Sequence, residues 1–313
     1  MKLNQWITKW SGVWSLALLV GTGLPAADFP EGLRVGQITV SSSSEPATFA
    51  LASDGELYLW GARGGLTPVE DMEYYLDRPQ RVIRPEFVNR WREVAVGDYH
   101  VLALVNNGEI VVWGSNHNGQ LGTGVLPPTG ELYGTELPAL LARPAGVNRW
   151  LASGAHDDSS QALSDDGRLW VWGRNNFGQL GLLHTNDVAV PTPQPFPPGV
   201  TRYERLFPKA QPFALGDEGE LYAWGGWGHV GQPYTNIVLG PVRVPKPVGL
   251  NEWRELAKGY HHVLALNEQG ELFAWGENYN GQLGIAGVVR SAEPQRVALP
   301  EGVSGWRRWA CAY

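Results

Sequence analysis

The stretch Asn107-Gly-Glu-Ile-Val-Val-Trp-Gly114 decides the fold, because this chain of 313 residues contains five versions of it. The other four are Asp54-Gly-Glu-Leu-Tyr-Leu-Trp-Gly61, Asp166-Gly-Arg-Leu-Trp-Val-Trp-Gly173, Glu218-Gly-Glu-Leu-Tyr-Ala-Trp-Gly225 and Gln269-Gly-Glu-Leu-Phe-Ala-Trp-Gly276. They recur about every fifty residues, and a period of that size marks a repeat architecture. Because a repeat fold builds an extended surface, we expect binding rather than catalysis.

A second mark lies at a fixed distance before each of these tryptophans. It is an Ala-Leu pair, whose Leu precedes the Trp by nine positions in every copy, as from Leu104 to Trp113. Between the two runs a Gly follows a polar residue, as in Asn107-Gly108, and supplies the positive φ of a tight turn. Each repeat therefore contains a predicted β-hairpin.

Two further runs complete the predicted repeat. One begins with Trp, as in Trp91-Arg-Glu-Val-Ala-Val96 and Trp253-Arg-Glu-Leu-Ala257. The run before it begins with Pro, as in Pro79-Gln-Arg-Val-Ile83 and Pro294-Gln-Arg-Val-Ala298, and Pro suits an edge strand because it lacks a ladder donor. Four antiparallel strands per repeat, in the order Pro-led, Trp-led, hairpin, predict an all-β fold, a β-propeller of four-stranded blades.

The turn after the hairpin carries the most specific pattern. Trp113-Gly-Ser-Asn116-His-Asn-Gly119-Gln120-Leu121-Gly122 has near-complete copies that begin at Trp172 and Trp275. With the Ala-Leu pair and the hairpin, it resembles the repeat of the regulator of chromosome condensation family. The resemblance implies a β-propeller, usually of seven blades, and a loop-bracing role for His100 and His262.

The number of blades stays open at this point. Five repeats are recognisable, and Trp306-Arg-Arg-Trp-Ala310 matches the start of a sixth, so five to seven blades are expected. Either the chain is a piece of a longer protein, or residues 294–313 close a small ring by pairing with the first repeat. The first repeat has no Pro-led run before it. An open propeller would expose a strand edge.

The N-terminus predicts a leader over residues 1–27, followed by one propeller domain over residues 28–313. Lys2 and Lys9 precede an apolar run over residues 13–24, and the small residues Ala26 and Ala27 follow it, which is the layout of a secretory signal peptide. The alternative is an amphipathic surface helix. The prediction is an exported protein, periplasmic or secreted and without membrane attachment after leader removal. A cytoplasmic location is the alternative.

Composition and missing motifs exclude several classes of function. A net charge of −7 without any run of Lys or Arg argues against nucleic acid as a partner. The single cysteine, Cys311, excludes an internal disulfide and a multi-cysteine metal site. The sequence contains no phosphate loop, dinucleotide fingerprint or zinc-protease motif. We therefore expect no cofactor, no metal and no enzymatic activity.

The inter-repeat loops vary in length and composition, and loops on a rigid scaffold commonly carry binding residues. The candidate binding residues are Asp71, Glu73, Tyr74, Tyr75, Tyr133 and Trp227. The first four fall within residues 67–77, Tyr133 lies in the longer loop 123–148, and Trp227 lies outside the repeat pattern. Since Tyr offers a large, rigid contact area, these loops predict a scaffold that binds a protein partner. Plain solvent-exposed loops are the alternative.

Two other functions remain as alternatives. The founding member of the family that the repeat resembles implies a guanine-nucleotide-exchange regulator of a small GTPase. A similar propeller also serves as a bacterial inhibitor of β-lactamase, which implies a secreted inhibitor of a hydrolase.

Overall fold

The computed structural model describes residues 35–41, 46–62, 75–126, 134–207, 212–226, 237–250, 252–259 and 261–306. These residues form twenty β-strands and contain no helix. The strands are β1 (Val35–Val40), β2 (Ala47–Ala52), β3 (Leu57–Ala62), β4 (Tyr75–Arg81), β5 (Trp91–Val96), β6 (His100–Val105), β7 (Ile110–Ser115), β8 (Gly134–Leu140), β9 (Trp150–His156), β10 (Ser159–Ser164), β11 (Leu169–Gly173), β12 (Val188–Pro193), β13 (Tyr203–Leu206), β14 (Phe213–Gly216), β15 (Leu221–Gly225), β16 (Val238–Arg243), β17 (Trp253–Lys258), β18 (His262–Asn267), β19 (Leu272–Glu277) and β20 (Arg290–Arg296).

The strands form five sheets, each with four antiparallel strands in chain order: β1–β4, β5–β8, β9–β12, β13–β16 and β17–β20. The first strands of neighbouring sheets approach each other, as β1 does β5 and β5 does β9, so they surround a common centre. The fourth strands lie at the rim. The five sheets are therefore the blades of a five-bladed β-propeller, numbered 1 to 5 in chain order, as the all-β prediction expected.

The predicted order of strands within a blade is wrong in one respect. The Pro-led run is the outermost strand of the preceding blade, not the first strand of the next. Pro79 lies in β4, which pairs with β3, and Pro294 lies in β20, which pairs with β19. The edge position predicted for Pro is confirmed. Ring closure by pairing of residues 294–296 with the first repeat is wrong, and residues 307–313 lie outside the described part of the chain.

The fixed spacing of nine positions reflects the register of the hairpin. In blade 2, Leu104 pairs with Ile110 and Val101 pairs with Trp113. The Gly108 N–H donates to the Val105 carbonyl at 2.9 Å, and Gly108 has a φ of 81° that favours glycine. An insertion in this hairpin would move the Trp to the other side of the sheet.

The tryptophans of the third strands lie in the cores between blades. Four core clusters each combine residues from two successive blades, and the side chains of Trp113, Trp172, Trp224 and Trp275 are fully buried. Trp60 in blade 1 is only partly buried. The free energy of folding is therefore concentrated at the junctions between blades, where large aromatic surfaces leave water.

The turn after the hairpin supplies a polar contact to the next blade. The Asn116 side-chain oxygen accepts a hydrogen bond from the Leu121 N–H at 2.9 Å and fixes the turn. The Gln120 carbonyl then accepts the indole N–H of Trp172, in the next blade, at 2.8 Å. Blade 3 repeats the contact, since the Gln179 carbonyl accepts the indole N–H of Trp224 at 2.9 Å. The sequence motif is thus one half of a junction between blades.

The third residue of the inner strand connects the blades near the axis. The Gln37 amide exchanges hydrogen bonds with the Val94 backbone at 3.0 and 3.2 Å, and the Arg205 guanidinium donates to the Trp253 carbonyl at 3.0 Å. Glu93 occupies the same position in blade 2. Burial raises the pKa of its carboxyl to about 7, although the backbone of Ser153 in blade 3 hydrogen bonds to it. The inner strands β1, β5 and β13 are therefore each attached to the next inner strand.

Replacement of Trp113 by Ala should lower the free energy of unfolding by about 3–5 kcal/mol, because the variant loses a fully buried aromatic ring and leaves a cavity. Replacement of Trp60 by Ala should cost clearly less, because Trp60 is only partly buried. Denaturant unfolding followed by circular dichroism measures both values. Equal losses for the two variants would contradict this account of the junctions.

Candidate functional site: the loop face

The two faces of the propeller differ in their connections. One face carries the turns between first and second strands and the loops between third and fourth strands, and we call it the loop face. Two contacts join these connections: the Ser115 N–H donates to the Tyr99 carbonyl at 2.7 Å, and the Gln120 amide donates to the Asp158 carboxylate at 3.3 Å. The opposite face carries the hairpin turns and the connections between blades.

Five of the six predicted binding residues lie, by their chain positions, between a third and a fourth strand, and Tyr75 begins a fourth strand. Tyr75 is the first residue of β4, and 63% of it is exposed. Asp71, Glu73, Tyr74, Tyr133 and Trp227 lie outside the described residues. The structure thus places Tyr75 at the rim of the loop face and leaves the binding role of all six as a prediction.

A cluster of titratable side chains lies near the centre of the loop face, where the sequence pattern indicated none. His156 ends β9 in blade 3, and its Nδ1 lies 3.0 Å from an Asp157 carboxylate oxygen. Its Nε2 lies 3.3 Å from Nζ of Lys258, which ends β17 in blade 5. We call Asp157, His156 and Lys258 the central relay. It joins two blades that are not neighbours in the ring.

The charges of the central relay follow from burial. Burial lowers the pKa of Lys258 to about 8, against the opposing effect of Asp157. Burial and the Lys258 charge lower the pKa of His156. Burial alone would raise the pKa of Asp157, but the hydrogen bond from His156 and nearby positive charges hold it at about 2. At neutral pH, His156 is therefore neutral, donates from Nδ1 to Asp157 and accepts at Nε2 from the Lys258 ammonium.

The backbone around Asp157 is unusual for a residue other than glycine. Asp157 has a φ of 45°, one of two positive values among the described non-glycine residues, and Asp tolerates this region better than most residues do. Its carbonyl accepts the Asp98 N–H at 2.9 Å, which joins the inner turns of blades 2 and 3. A Cβ atom at Gly97 would lie 2.5 Å from that carbonyl, so the contact requires glycine there.

Further charges surround the relay. Asp158 lies 3.6 Å from the Arg174 guanidinium, and burial together with Asp98 raises the pKa of its carboxyl. The centre of the loop face thus combines three carboxylates with two cationic side chains. This arrangement offers hydrogen-bond donors and acceptors of both signs to a polar surface.

The repeat register contains the signal that locates the relay. His156 stands where blades 2 and 5 have Gly97 and Gly259, and Lys258 stands where blades 2 and 3 have Val96 and Ala155. Departures from a repeat at structurally equivalent positions mark residues that the fold does not require. The shared motif does not reveal His156 and Lys258, because neither residue belongs to it.

The histidine that the family resemblance assigns to loop bracing has that role. The Ser160 hydroxyl donates to the Gln120 carbonyl at 2.8 Å, so it accepts from Nε2–H of His100 at 2.9 Å. Burial lowers the pKa of His100 to about 3, and the ring is neutral at physiological pH. Nδ1 of His100 has no hydrogen-bond partner among the described residues. Within the described ranges, no three His, Cys, Asp or Glu side chains are grouped to hold a metal ion.

A groove of about 390 Å³ lies at the rim between blades 2 and 3. Its lining includes Leu140, Leu141, Val190 and Arg143, and the Arg143 guanidinium lies 3.6 Å from Glu109. Polar side chains do not converge in this groove as they do at the centre of the loop face. In the part of the chain that the structure describes, no helix is long and apolar enough to cross a membrane.

Comparison with known proteins identifies the repeat. Two models of the regulator of chromosome condensation (RCC1) repeat match the chain, one at residues 91–120 and 255–282 and the other at residues 166–206 and 269–313. Among solved structures, human WBSCR16 is similar, with a TM-score of 0.71 and 28% identity over 88% of this chain and 70% of that chain. Prp20p of Saccharomyces cerevisiae shares the fold, with a TM-score of 0.66 and 24% identity over 87% of this chain and 65% of that chain.

The curated relatives that the chain matches are named for different activities. Ultraviolet-B receptor UVR8 of Arabidopsis thaliana is 26% identical over 87% of this chain and 62% of its own length. Guanine nucleotide exchange factor SRM1 of Saccharomyces cerevisiae is 30% identical over 83% of this chain and 58% of its own. E3 ubiquitin-protein ligase HERC2 of Homo sapiens is 31% identical over 88% of this chain and 6% of its own. The chain spans less than two thirds of each.

Replacement of Lys258 by Met should raise the pKa of His156, because the Lys258 charge lowers it and Met keeps a side chain of similar length. Titration of the imidazole by NMR measures the shift. Lys246→Met is the matched control, since Lys246 pairs with Glu220 in blade 4 and should leave the His156 pKa unchanged. Identical titration curves for Lys258→Met and wild type would show that the relay does not form.

Proposed function

Because this chain is an RCC1-repeat β-propeller, we propose that it is a non-enzymatic scaffold that binds a protein partner on its loop face. The observation that carries the proposal is the central relay, in which residues outside the repeat pattern meet at the centre of one face. Exposed Tyr75 at the rim of the same face adds an aromatic contact. Tyr is enriched in protein-binding surfaces, and charged groups on the same face can pair with complementary charges of a partner.

The charges of the loop face indicate the sign of the charge on the partner's surface. Asp98, Asp157 and Asp158 outnumber the two cationic side chains near them, so the complementary surface is basic. Attraction between opposite charges at a solvated interface weakens as salt screens it. The interaction should therefore be strongest at low ionic strength.

Removal of the carboxylates tests this proposal. Asp157→Asn/Asp158→Asn should weaken capture of the partner from the native organism by about tenfold, equivalent to ~1.4 kcal/mol, because charge complementarity is lost. Tyr75→Ala should weaken it further. Glu268→Gln, an exposed carboxylate at a hairpin turn on the opposite face, is the matched control and should have no effect. Full retention by both loop-face variants, with an intact circular dichroism spectrum, would place the binding surface elsewhere.

A second candidate function is guanine-nucleotide exchange on a small GTPase. It is supported by SRM1, whose name states this activity and which is 30% identical over 83% of this chain. Its test is the release of labelled GDP from a small GTPase of the native organism when the protein is added. The third candidate, a secreted inhibitor of a hydrolase, stays a prediction from the family resemblance.

Export is a separate proposal. It is supported by the Lys-flanked apolar run before residue 25 and by the small residues Ala26 and Ala27. Processing near Ala26 or Ala27 is the expected result, and N-terminal sequencing of the protein from the native organism measures it. Protein that retains Met1 and stays in the cytoplasm would contradict export and would leave a cytosolic GTPase available as partner.

A further inference from the structure

One acidic side chain at the junction of blades 2 and 3 has only part of the hydrogen bonding that its position offers. Glu93 is the third residue of β5, and the Ser153 N–H in β9 donates to its carboxyl group. The other carboxyl oxygen, Oε1, is buried and has no hydrogen-bond partner in the described part of the chain. Because a buried charge without a donor is costly, the ionised form of Glu93 does not suit this place.

The equivalent position in blade 1 shows what such a junction requires. Gln37 is the third residue of β1, and its amide oxygen accepts the Val94 N–H at 3.2 Å. Its amide nitrogen donates to the Val94 carbonyl at 3.0 Å. In blade 4 the third residue is Arg205, which also donates to a carbonyl of the next inner strand, that of Trp253. In both blades this position supplies a hydrogen-bond donor.

The strand register places an equivalent carbonyl beside Glu93. Val94 and Ser153 are the fourth residues of their strands, and they pair with Ala103 and Ala162 in the second strands of their blades. In an antiparallel ladder the N–H and the carbonyl of one residue point to the same side of the strand. The Ser153 carbonyl therefore faces the same carboxyl group as the Ser153 N–H. A carboxylate has no hydrogen to donate to it, whereas a carboxylic acid has one.

The charges around Glu93 do not hold it in the ionised form. β5 packs against β1, β2, β6 and β9, of which β1 and β2 contain no titratable residue. The titratable residues of β6 and β9 are His100 and His156, and burial lowers the pKa of both, so they are neutral at neutral pH. Arg92 of β5 itself favours the carboxylate, but it is exposed. Burial dominates and raises the pKa of Glu93 to about 7.

We propose that Glu93 is a protonated carboxylic acid in the folded protein, that its O–H donates to the Ser153 carbonyl, and that loss of this proton weakens the junction of blades 2 and 3. The protonated carboxyl makes the same two hydrogen bonds as the Gln37 amide makes in blade 1. Ser153 lies in the strand that ends with His156, so the proton holds the strand that carries the relay histidine. The fold thus contains a pH-sensitive contact beneath the loop face.

The direction of the pH dependence follows from the change in pKa. Folding raises the pKa of Glu93 from an ordinary value of 4.5 to about 7. As pH rises, the unfolded chain releases this proton before the folded protein does. The stabilisation is therefore complete below about pH 4.5 and is lost as pH rises through about 7. Over this range the contribution of Glu93 should increase the unfolding equilibrium constant on the order of a hundredfold.

Glu93→Gln tests the proposal, because Gln keeps the shape and the donor of the protonated carboxyl and has no proton to lose. Denaturant unfolding of wild type and variant between about pH 4.5 and pH 8.5 measures both unfolding constants. The ratio of the wild-type constant to the variant constant should rise on the order of a hundredfold with pH, since the effects of all other groups cancel. Glu86→Gln, at an exposed carboxylate in the connection before β5, is the matched control and should give a nearly constant ratio.

The reciprocal variant Gln37→Glu introduces a second carboxyl at the equivalent junction. It should make the loss of stability with rising pH steeper than in wild type, because the Val94 carbonyl then also requires a protonated partner. The double variant Gln37→Glu/Glu93→Gln should again show the pH dependence of a single such group. An unchanged slope in Gln37→Glu would show that the third position of the inner strand does not require a donor.

A direct measurement of the proton needs no variant. In wild-type protein labelled with ¹³C at the glutamate carboxyl carbons, the Glu93 signal, assigned through its own backbone resonances, should titrate with a midpoint of about 7. A midpoint below about pH 5 would overturn the proposal, because the carboxyl would then be ionised at neutral pH. A ratio of unfolding constants for Glu93→Gln that is the same at every pH would overturn it as well.

Discussion

The three central blades are joined by one interaction, the hydrogen bond from the indole N–H of a third-strand Trp to a turn carbonyl of the preceding blade. A buried indole needs an acceptor, and Gln120 and Gln179 supply it through their backbone. The acceptor is available only because Asn116 and Asn175 hold the turn in shape. Blade 3 therefore contains the donor for its junction with blade 2 and the acceptor for its junction with blade 4.

This coupling explains which features could be predicted from the sequence. The hairpin, the buried Trp and the edge position of Pro each depend on a short stretch of sequence. The repeat motif therefore predicts them directly. The start of a blade is different, because a periodic sequence has the same period wherever the repeat is taken to begin. Only the pairing of β4 with β3 shows that the Pro-led run ends a blade. One of the two alternatives for closure, the pairing of residues 294–313 with the first repeat, depended on that assignment, and residues 294–296 pair within blade 5 instead.

The candidate site was less predictable, and the reason is geometric. Equivalent positions of different blades lie on a circle, so repeated side chains do not converge on one point. His100, which is repeated as His262 in blade 5, accordingly has a structural role. A long side chain at an unrepeated position can still reach a residue of another blade. Lys258 reaches His156 from a blade two positions further along the chain, and no spacing in the sequence predicts that contact.

The central relay also connects partner binding with protonation. Lys258 has a pKa of about 8 in the folded protein because burial disfavours its charge. A basic surface that covers the loop face would remove more water and add positive charge, and both effects lower this pKa further. Binding would then release a proton near pH 8, and by linkage the affinity would increase as pH rises through that value. An acidic surface would have the opposite effect, because it stabilises the ammonium. The sign of the pH dependence of binding therefore reports the charge of the surface that meets the relay.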